Sequence, residues 1–239
     1  MTSGMAEDHR KPPMRDLLAD AAFELFEEKG FEQTTVDDIV ARAGVGRRSF
    51  FRYFPSKEDV VFPDHERCLD DMVAFLKTAA DGTDLVEHAC EATLLVARMY
   101  AERPERSLMR YRHIRDVPAL RDHEHIVIRR YEHALAAFLR EGFAFRPDGP
   151  LHAEIIAAAA SAAHNHAVRT WLRNGATTDA VAAARTALAS VRAAWGAPPT
   201  PAEPDDYVVV ITRSRAPLQD VLHHVEHALA RIAPADDAE

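Results

Sequence analysis

Cysteine is nearly absent. Cys68 and Cys90 are the only two in 239 residues. A disulfide framework is therefore excluded, as is a zinc site built on four thiolates, and the usage fits a reducing cytoplasm. Long apolar runs are missing too. No run approaches the ~18–20 residues that span a bilayer. The richest, IIAAAASAA at 155–163, leads straight into His164, Asn165 and His166. A helix buried between other helices explains it, and no membrane partner is expected. The first fifteen residues, MTSGMAEDHRKPPMR, are polar. They carry no secretory pattern, and a frayed arm is expected there.

Positive charge is in deficit, with a net charge of −9. That excludes a protein that coats nucleic acid with its whole surface. The phosphate loop GxxxxGK, the elbow GxSxG and the helix HExxH do not occur. No spacing sets a nucleophile beside a base, so no enzyme is expected. His223 and His227 are one helical turn apart, and His164 and His166 are two residues apart. Neither pair has a third ligand at a recognisable spacing, so no metal and no cofactor are expected.

What is present suffices for a core. Apolar residues make up 47% of the chain, and its length suits one or two domains. The pattern reads as helix nearly throughout. Met14, Leu17, Leu18, Ala21, Ala22, Leu25 and Phe26 recur at spacings of three and four, which predicts a helix from 14 to 29 that stops at Gly30. Thr34 is the expected cap of a second helix, with Asp37 three residues on, and Gly44 closes that helix. A third runs from Arg47 to Tyr53 behind Gly46, with Phe50 and Phe54 facing inward, and Pro55 ends it. Ser56 is then expected to cap a fourth helix that begins at Lys57. Two short helices joined by a glycine-containing turn form a helix-turn-helix pattern.

Charge is distributed unevenly. Residues 41–57, ARAGVGRRSFFRYFPSK, hold five basic side chains and no acid inside an acidic chain. By itself such a run is either a solvated helix face or a small, directed phosphate contact.

Residues 14–60 resemble the N-terminal domain of the TetR family of transcriptional regulators. The likeness is carried by LLADAAFELFEEKGF and by TTVDDIVARAGVGRRSFFRYFPSKEDV. The resemblance implies an all-α fold: an N-terminal three-helix DNA-binding domain with a helix-turn-helix, then a C-terminal helical bundle for dimerisation and ligand binding. It implies a phosphate contact at Thr35, where the second helix begins. It implies major-groove contacts from Arg47, Arg48, Ser49, Phe51, Arg52 and Tyr53, and a phosphate contact from Lys57. Arginine can grip guanine O6 and N7 with two donors, which agrees with those roles. Two positions depart from the family pattern. Gly46 stands where Ser or Thr is common as a cap. Phe51 stands where a phosphate-binding tyrosine is usual; it can pack on sugar or a thymine methyl, or on the fourth helix.

The expected domains are an arm and helix-turn-helix unit at 1–57, a helical effector and dimerisation domain at 58–195, and an extension at 196–239. Helices are expected at about 58–80, 84–101, 104–116, 118–141, 150–173 and 178–195, punctuated by Gly82, Pro104, Pro118, Gly142, Pro150 and Gly175. The extension opens with the proline-rich GAPPTPAEPDD. It continues through YVVVI at 207–211 into an amphipathic helix from Leu218 to Ile232.

The resemblance also implies a homodimer whose face is made by the last two helices of the body. Candidate residues are Ile156, Ala159, Ala163, Ala167, Trp171, Ala184, Leu188, Val191 and Trp195, each of which could equally belong to an intramolecular core. RPERSLMRYRHIR at 103–115 carries five arginines. Arg103, Arg106, Arg110, Arg112, His113 and Arg115, with Met99, Tyr100, Met109 and Tyr111, are candidates for an anion-binding ligand mouth. The alternative is a surface helix whose arginines pair with Asp116, Asp122 and Glu124.

The expected function is a cytoplasmic, ligand-responsive repressor. It would sit on double-stranded DNA at a palindromic operator and leave it for an anionic amphiphile such as an acyl-coenzyme A. An activator of the same fold, or a helical protein working through protein contacts without an effector, are the alternatives.

Overall fold

Residues 13–196 are described in this computed structural model of the chain. The arm before them, the YVVVI run and the C-terminal amphipathic helix lie outside the described residues, as does the linker apart from Gly196. Among the described residues the fold is all-α: nine α-helices, one short 3-10 turn and no strand.

The N-terminal layer forms as its apolar spacing predicts. α1 (Met14–Lys29) buries Leu18, Ala22, Leu25 and Phe26. α2 (Val36–Arg42) contributes Ile39 and Val40, and α3 (Arg47–Tyr53) contributes Phe50. Gly44 makes the turn between α2 and α3. Its φ of +67° is left-handed, which glycine adopts without a Cβ penalty. The Gly44 N–H donates to Ala41 O at 3.2 Å and the Val45 N–H to Val40 O at 2.9 Å. This Schellman pattern satisfies carbonyls that the helix end would otherwise leave free.

The α2 cap falls one residue later than expected. Thr35, not Thr34, begins the helix, and its hydroxyl accepts the Asp38 N–H at 3.1 Å. The Asp38 carboxylate in turn accepts the Thr35 N–H at 2.8 Å, which completes a capping box. Thr34 is fully buried, and its hydroxyl donates back to the carbonyls of Gly30 and Leu25. It thus ties the end of α1 to the start of α2.

The fourth helix also starts later than expected. Asp59–Val61 is a 3-10 turn, and α4 runs from His65 to Leu76 rather than from 58 to 80. Pro63 lacks an N–H and cannot sit inside an α-helix without breaking its ladder. Ser56 does not cap α4; its hydroxyl accepts the Asp59 N–H at 3.3 Å, and Glu58 is the residue at the cap of the short turn.

The body holds α5 (Leu85–Glu102), α6 (Pro104–Asp116), α7 (Pro118–Gly142), α8 (Gly149–Arg173) and α9 (Ala180–Trp195). Each lies within two residues of its sequence-based range. Pro104 and Pro118 occupy first helical positions, where a missing N–H costs nothing. α8 packs on α7 and α9, and α5 packs on α4, α8 and α9.

One junction ties the N-terminal layer to the body. Arg103 donates to Asp16 at 2.9 Å, Arg106 pairs with Asp16 and Asp20, and the His113 ring lies against Phe23 and Phe26. α6 is therefore joined to α1 at a few points, through Arg103 at its cap, Arg106 and His113.

Candidate nucleic-acid interface and effector cavity

α3 is anchored by one residue and free on the other side. Phe50 is 0% exposed and stacks against Phe54 at 5.6 Å between ring centroids. Arg47, Arg48, Phe51 and Arg52 are exposed, and Ser49 and Tyr53 are half-buried. Gly46 caps α3 without a side-chain bond. The structure thus brings together the six side chains assigned to the major groove on one short, acid-free helix.

These side chains are arranged rather than loose. The Arg47 guanidinium lies 5.4 Å from the Phe51 ring centroid and pairs with Asp37 at 2.6 Å. Arg52 lies over the Tyr53 ring at 4.9 Å. Phe51 packs edge-on against Phe50 and under Arg47, so the alternative of burial on the fourth helix does not occur. Asp37 holds Arg47 in place.

Three polar residues of this region have internal partners. The Thr35 hydroxyl donates to Asp38 at 2.6 Å, while Lys29 pairs with the same carboxylate at 2.8 Å. The Lys29 ammonium, together with the Thr35 hydrogen bonds, holds the Asp38 carboxyl below the usual carboxylate range. Arg42 faces α1 instead of the open side and, though exposed, is held there by Glu28 and Glu24. The Lys57 ammonium donates to Phe31 O at 2.8 Å and Thr34 O at 2.9 Å, and lies 4.1 Å from the Phe31 ring centroid. Sequence reasoning treated Lys57 as a phosphate contact alone. The structure adds a folding role, fastening the end of α1 and the entry to α2.

The arginine-rich helix does not form a single mouth. Arg103 and Arg106 face Asp16 and Asp20 of α1, Arg115 pairs with Asp116, and Arg112 is exposed. His113 turns toward α1, with Glu27 3.7 Å away. Burial lowers the His113 pKa. The surface alternative is correct only for Arg115, because Glu124 pairs with Arg169. Arg110 alone turns inward. It is 3% exposed, and its guanidinium lies over the Tyr100 ring at 4.2 Å.

The sequence-based ligand candidates thus scatter, and of them only Tyr100, Arg110 and Tyr111 line two cavities of the body. A narrow cavity lies among α4, α5, α7 and α8, lined by Met72, Val96, Tyr100, Val127, Tyr131, Leu135 and His164 among others. A second, equally narrow, adjoins it and takes in Arg110, Ser107 and Tyr111. The two share Tyr100, Glu124 and Asn165. Met99 and Met109 line neither. Periodicity marks the apolar residues of α5 and α7 as core but cannot say that a gap is left between them.

The dimer candidates need a similar correction. Ile156, Ala167, Trp171, Ala184, Leu188 and Val191 are buried inside the single chain. Trp171 is anchored there by its indole N–H, which donates to Thr178 O at 2.8 Å. Ala159 and Ala163 are half-buried, and Trp195 is exposed. The outward face of α8 is formed instead by Leu151, Ile155, Ala158 and Ala162, and that of α9 by Ala182, Ala189 and Ala193. Alanine lies on both sides of these helices, so apolar spacing alone could not tell the packed side from the open one. Among the described residues no three metal-binding side chains come together, and no helix is long and apolar enough to cross a membrane.

Comparison with known proteins places these features. The family model for bacterial regulatory proteins, tetR family, matches residues 18–62, which takes in α1 to α3 and the 3-10 turn. MftR of Mycobacterium tuberculosis, a candidate transcriptional regulator of mycofactocin biosynthesis, is 30% identical over 123 residues, covering 51% of this chain and 62% of MftR. IcaR of Staphylococcus epidermidis, a negative regulator of the biofilm operon icaADBC, is 33% identical over 63 residues, covering 26% of this chain and 34% of IcaR. The chain thus spans less than two thirds of the length of these relatives. Among solved structures, FadR of Bacillus subtilis in complex with stearoyl-CoA has the same fold. Its TM-score is 0.52 at 22% identity, over 74% of this chain and 96% of FadR.

Proposed function

We propose that this chain, which belongs to the TetR family of bacterial regulatory proteins, is a repressor that binds a palindromic operator as a homodimer and leaves it when a small molecule binds the body. The observation that carries the reading is the open face of α3, with Arg47, Arg48, Phe51 and Arg52 exposed on a helix fixed from behind by Phe50. A single such helix reads few bases. A symmetric pair about one turn of duplex apart, ~34–36 Å, reads a palindrome. IcaR is a negative regulator, which favours repression over activation.

The junction of α6 with α1 supplies a route for release. A ligand that moves α6 pulls on Asp16 and Asp20 through Arg106 and Arg103, and so turns α1 and the helices packed on it. For release the ligand must favour the arrangement with the recognition helices wrongly spaced. A coupling of ~1–3 kcal/mol would change DNA affinity about 5–150-fold. Acyl-coenzyme A esters, of the kind held by FadR in the structure above, belong in the first effector panel.

The DNA reading is tested by gel shift on the promoter DNA flanking the chain's own gene. Arg52→Ala, at an exposed position, should weaken specific binding by ~1–3 kcal/mol and leave the helical content unchanged. Lys57→Ala should weaken all sequences nearly equally and lower the salt slope by about one unit. It should also lower the melting temperature, because two carbonyls lose their donor. Full operator affinity in both variants would refute the placement.

The dimer reading is tested by light scattering, which should give twice the 26.6 kDa of one chain at micromolar concentration. Ala158→Arg and Ala162→Arg, on the outward face of α8, should shift the mass toward one chain while Ala159→Ser, on the half-buried side, should not. A parent protein that is monomeric yet holds a palindromic site tightly would sink the idea.

A further inference from the structure

A guanidinium keeps its charge at any pH a cell reaches, so burying one without an acceptor is costly. Arg110 is in that position. It is 3% exposed, its Nε has no hydrogen-bond partner, and among the described residues no carboxylate lies within ion-pair distance of it. The carboxylate in the same cavity wall, Glu124, is taken by Arg169 at 2.9 Å. What Arg110 does touch is the face of Tyr100, 4.2 Å from the ring centroid. That contact holds the guanidinium in place but leaves its hydrogen-bond donors unanswered.

The charges around Arg110 are few: Glu124 in the wall is paired with Arg169, and the two histidines beside Tyr100 carry none. His164 and His65 flank Tyr100 and are both buried. Burial pushes the His164 pKa down to about 4, and burial together with the Arg110 charge holds His65 well below the ordinary value. Neither competes with Arg110 for an anion at neutral pH. Beyond Tyr100 the cavity wall turns apolar, with Met72, Val96, Val127 and Leu135.

We propose that the effector is a monoanionic amphiphile, a carboxylic acid with an apolar body, whose carboxylate pairs with Arg110 and whose body enters the narrow apolar cavity between α5, α7 and α8 and widens it. The inference rests on the reading of the chain as an effector-responsive regulator and names the class of ligand. Charge matching decides between anions. One buried positive charge balances one carboxylate, whereas the several phosphate charges of a coenzyme A ester would leave an excess of buried negative charge. A planar carboxylate also meets the guanidinium fork with two parallel bonds.

The test is calorimetric titration of the full chain, without DNA, by octanoate, octan-1-ol and octanoyl-coenzyme A. Octanoate should bind about 10–100-fold more tightly than octan-1-ol, the range expected for charge-assisted bonds to a buried partner. Arg110→Met should bring the two within about 3-fold of each other by removing the charge-assisted pair. Arg110→Lys, which keeps the charge but not the fork, should retain part of the preference. Octanoate binding no tighter than octan-1-ol, no octanoate binding at all, a preference that survives Arg110→Met, or tightest binding by octanoyl-coenzyme A would each overturn the assignment. If Arg110→Met does not fold, the comparison in the parent protein and in Arg110→Lys decides. Because DNA is left out, a failure here does not bear on operator binding, which the gel shift reads separately.

Discussion

Phe50→Ala should cost the N-terminal layer ~3–5 kcal/mol, the range for deleting a fully buried phenylalanine, while Phe51→Ala beside it should cost less than ~1 kcal/mol. The contrast follows from one step around a helix. Phe50 is 0% exposed and packs against Phe54 in the buried core. Phe51 is 45% exposed, with its ring edge-to-face with Phe50 and beside the guanidinium of Arg47. Urea unfolding followed by circular dichroism reads the first effect, and the gel shift reads the second. Phe51→Ala should keep its fold and lose operator affinity, because an apolar contact to sugar or thymine methyl disappears and Arg47 loses its support. Equal destabilisation by both substitutions would mean that Phe51 is a core residue and would remove it from the DNA-contacting set.

The same helix shows what could be read without coordinates. The turn at Gly44, the inward pair Phe50 and Phe54 and the outward arginines all follow from spacing, because a short helix has few ways to hide two phenylalanines. The cap of α2 was harder to place. In TTVDD either threonine can cap and either aspartate can answer it, one residue apart. What decides is the reach of the Thr34 hydroxyl to the Gly30 and Leu25 carbonyls, a tertiary fact.

α1 is buried on a second side that a single apolar stripe does not reveal. Ala19 and Phe23 are buried, and Phe23 meets Arg106 and His113 of α6. The fate of the arginines at 103–115 turns on the same junction. Asp16 and Asp20 stand one turn apart on a helix about ninety residues upstream, and local pattern cannot announce that they face Arg103 and Arg106. Arg110 was legible as a basic residue but not as a buried one. That difference separates a surface ion pair of little worth from a ligand-binding group.

Lowering the pH from 6.5 toward 4 should destabilise the body, and His164 should account for a large part of the loss. It is 5% exposed, its Nδ1 has no partner, and burial holds its pKa at about 4. In the unfolded chain the same imidazole titrates near ~6.5. Between those values the unfolded chain binds a proton that the folded chain refuses, so stability is full above pH ~6.5 and declines as the pH falls, by up to ~1.4 kcal/mol per unit. Over the whole window His164 alone is worth roughly 3 kcal/mol.

His65 acts in the same direction. The Tyr131 hydroxyl donates to His65 O at 2.9 Å, so its oxygen accepts from Nδ1–H at 3.1 Å, and Nε2 is left bare and buried. A proton added at Nε2 would have no acceptor, and it would face the charge of Arg110, with His164, Arg130 and His123 also near. The acidic side chains lose their contribution later. The carboxyls of Asp38 and Glu28 are held below their usual range by Lys29 and Arg42 respectively, so their stabilisation fades only below about pH 4. The two regimes are therefore separable in one series of melts from pH 7.5 to 4.5. His164→Gln should make the curve shallower across that range and leave the melting temperature at pH 7.5 within a few degrees of the parent's. An unchanged slope in His164→Gln would show that the imidazole is already protonated, or hydrated, in the folded chain.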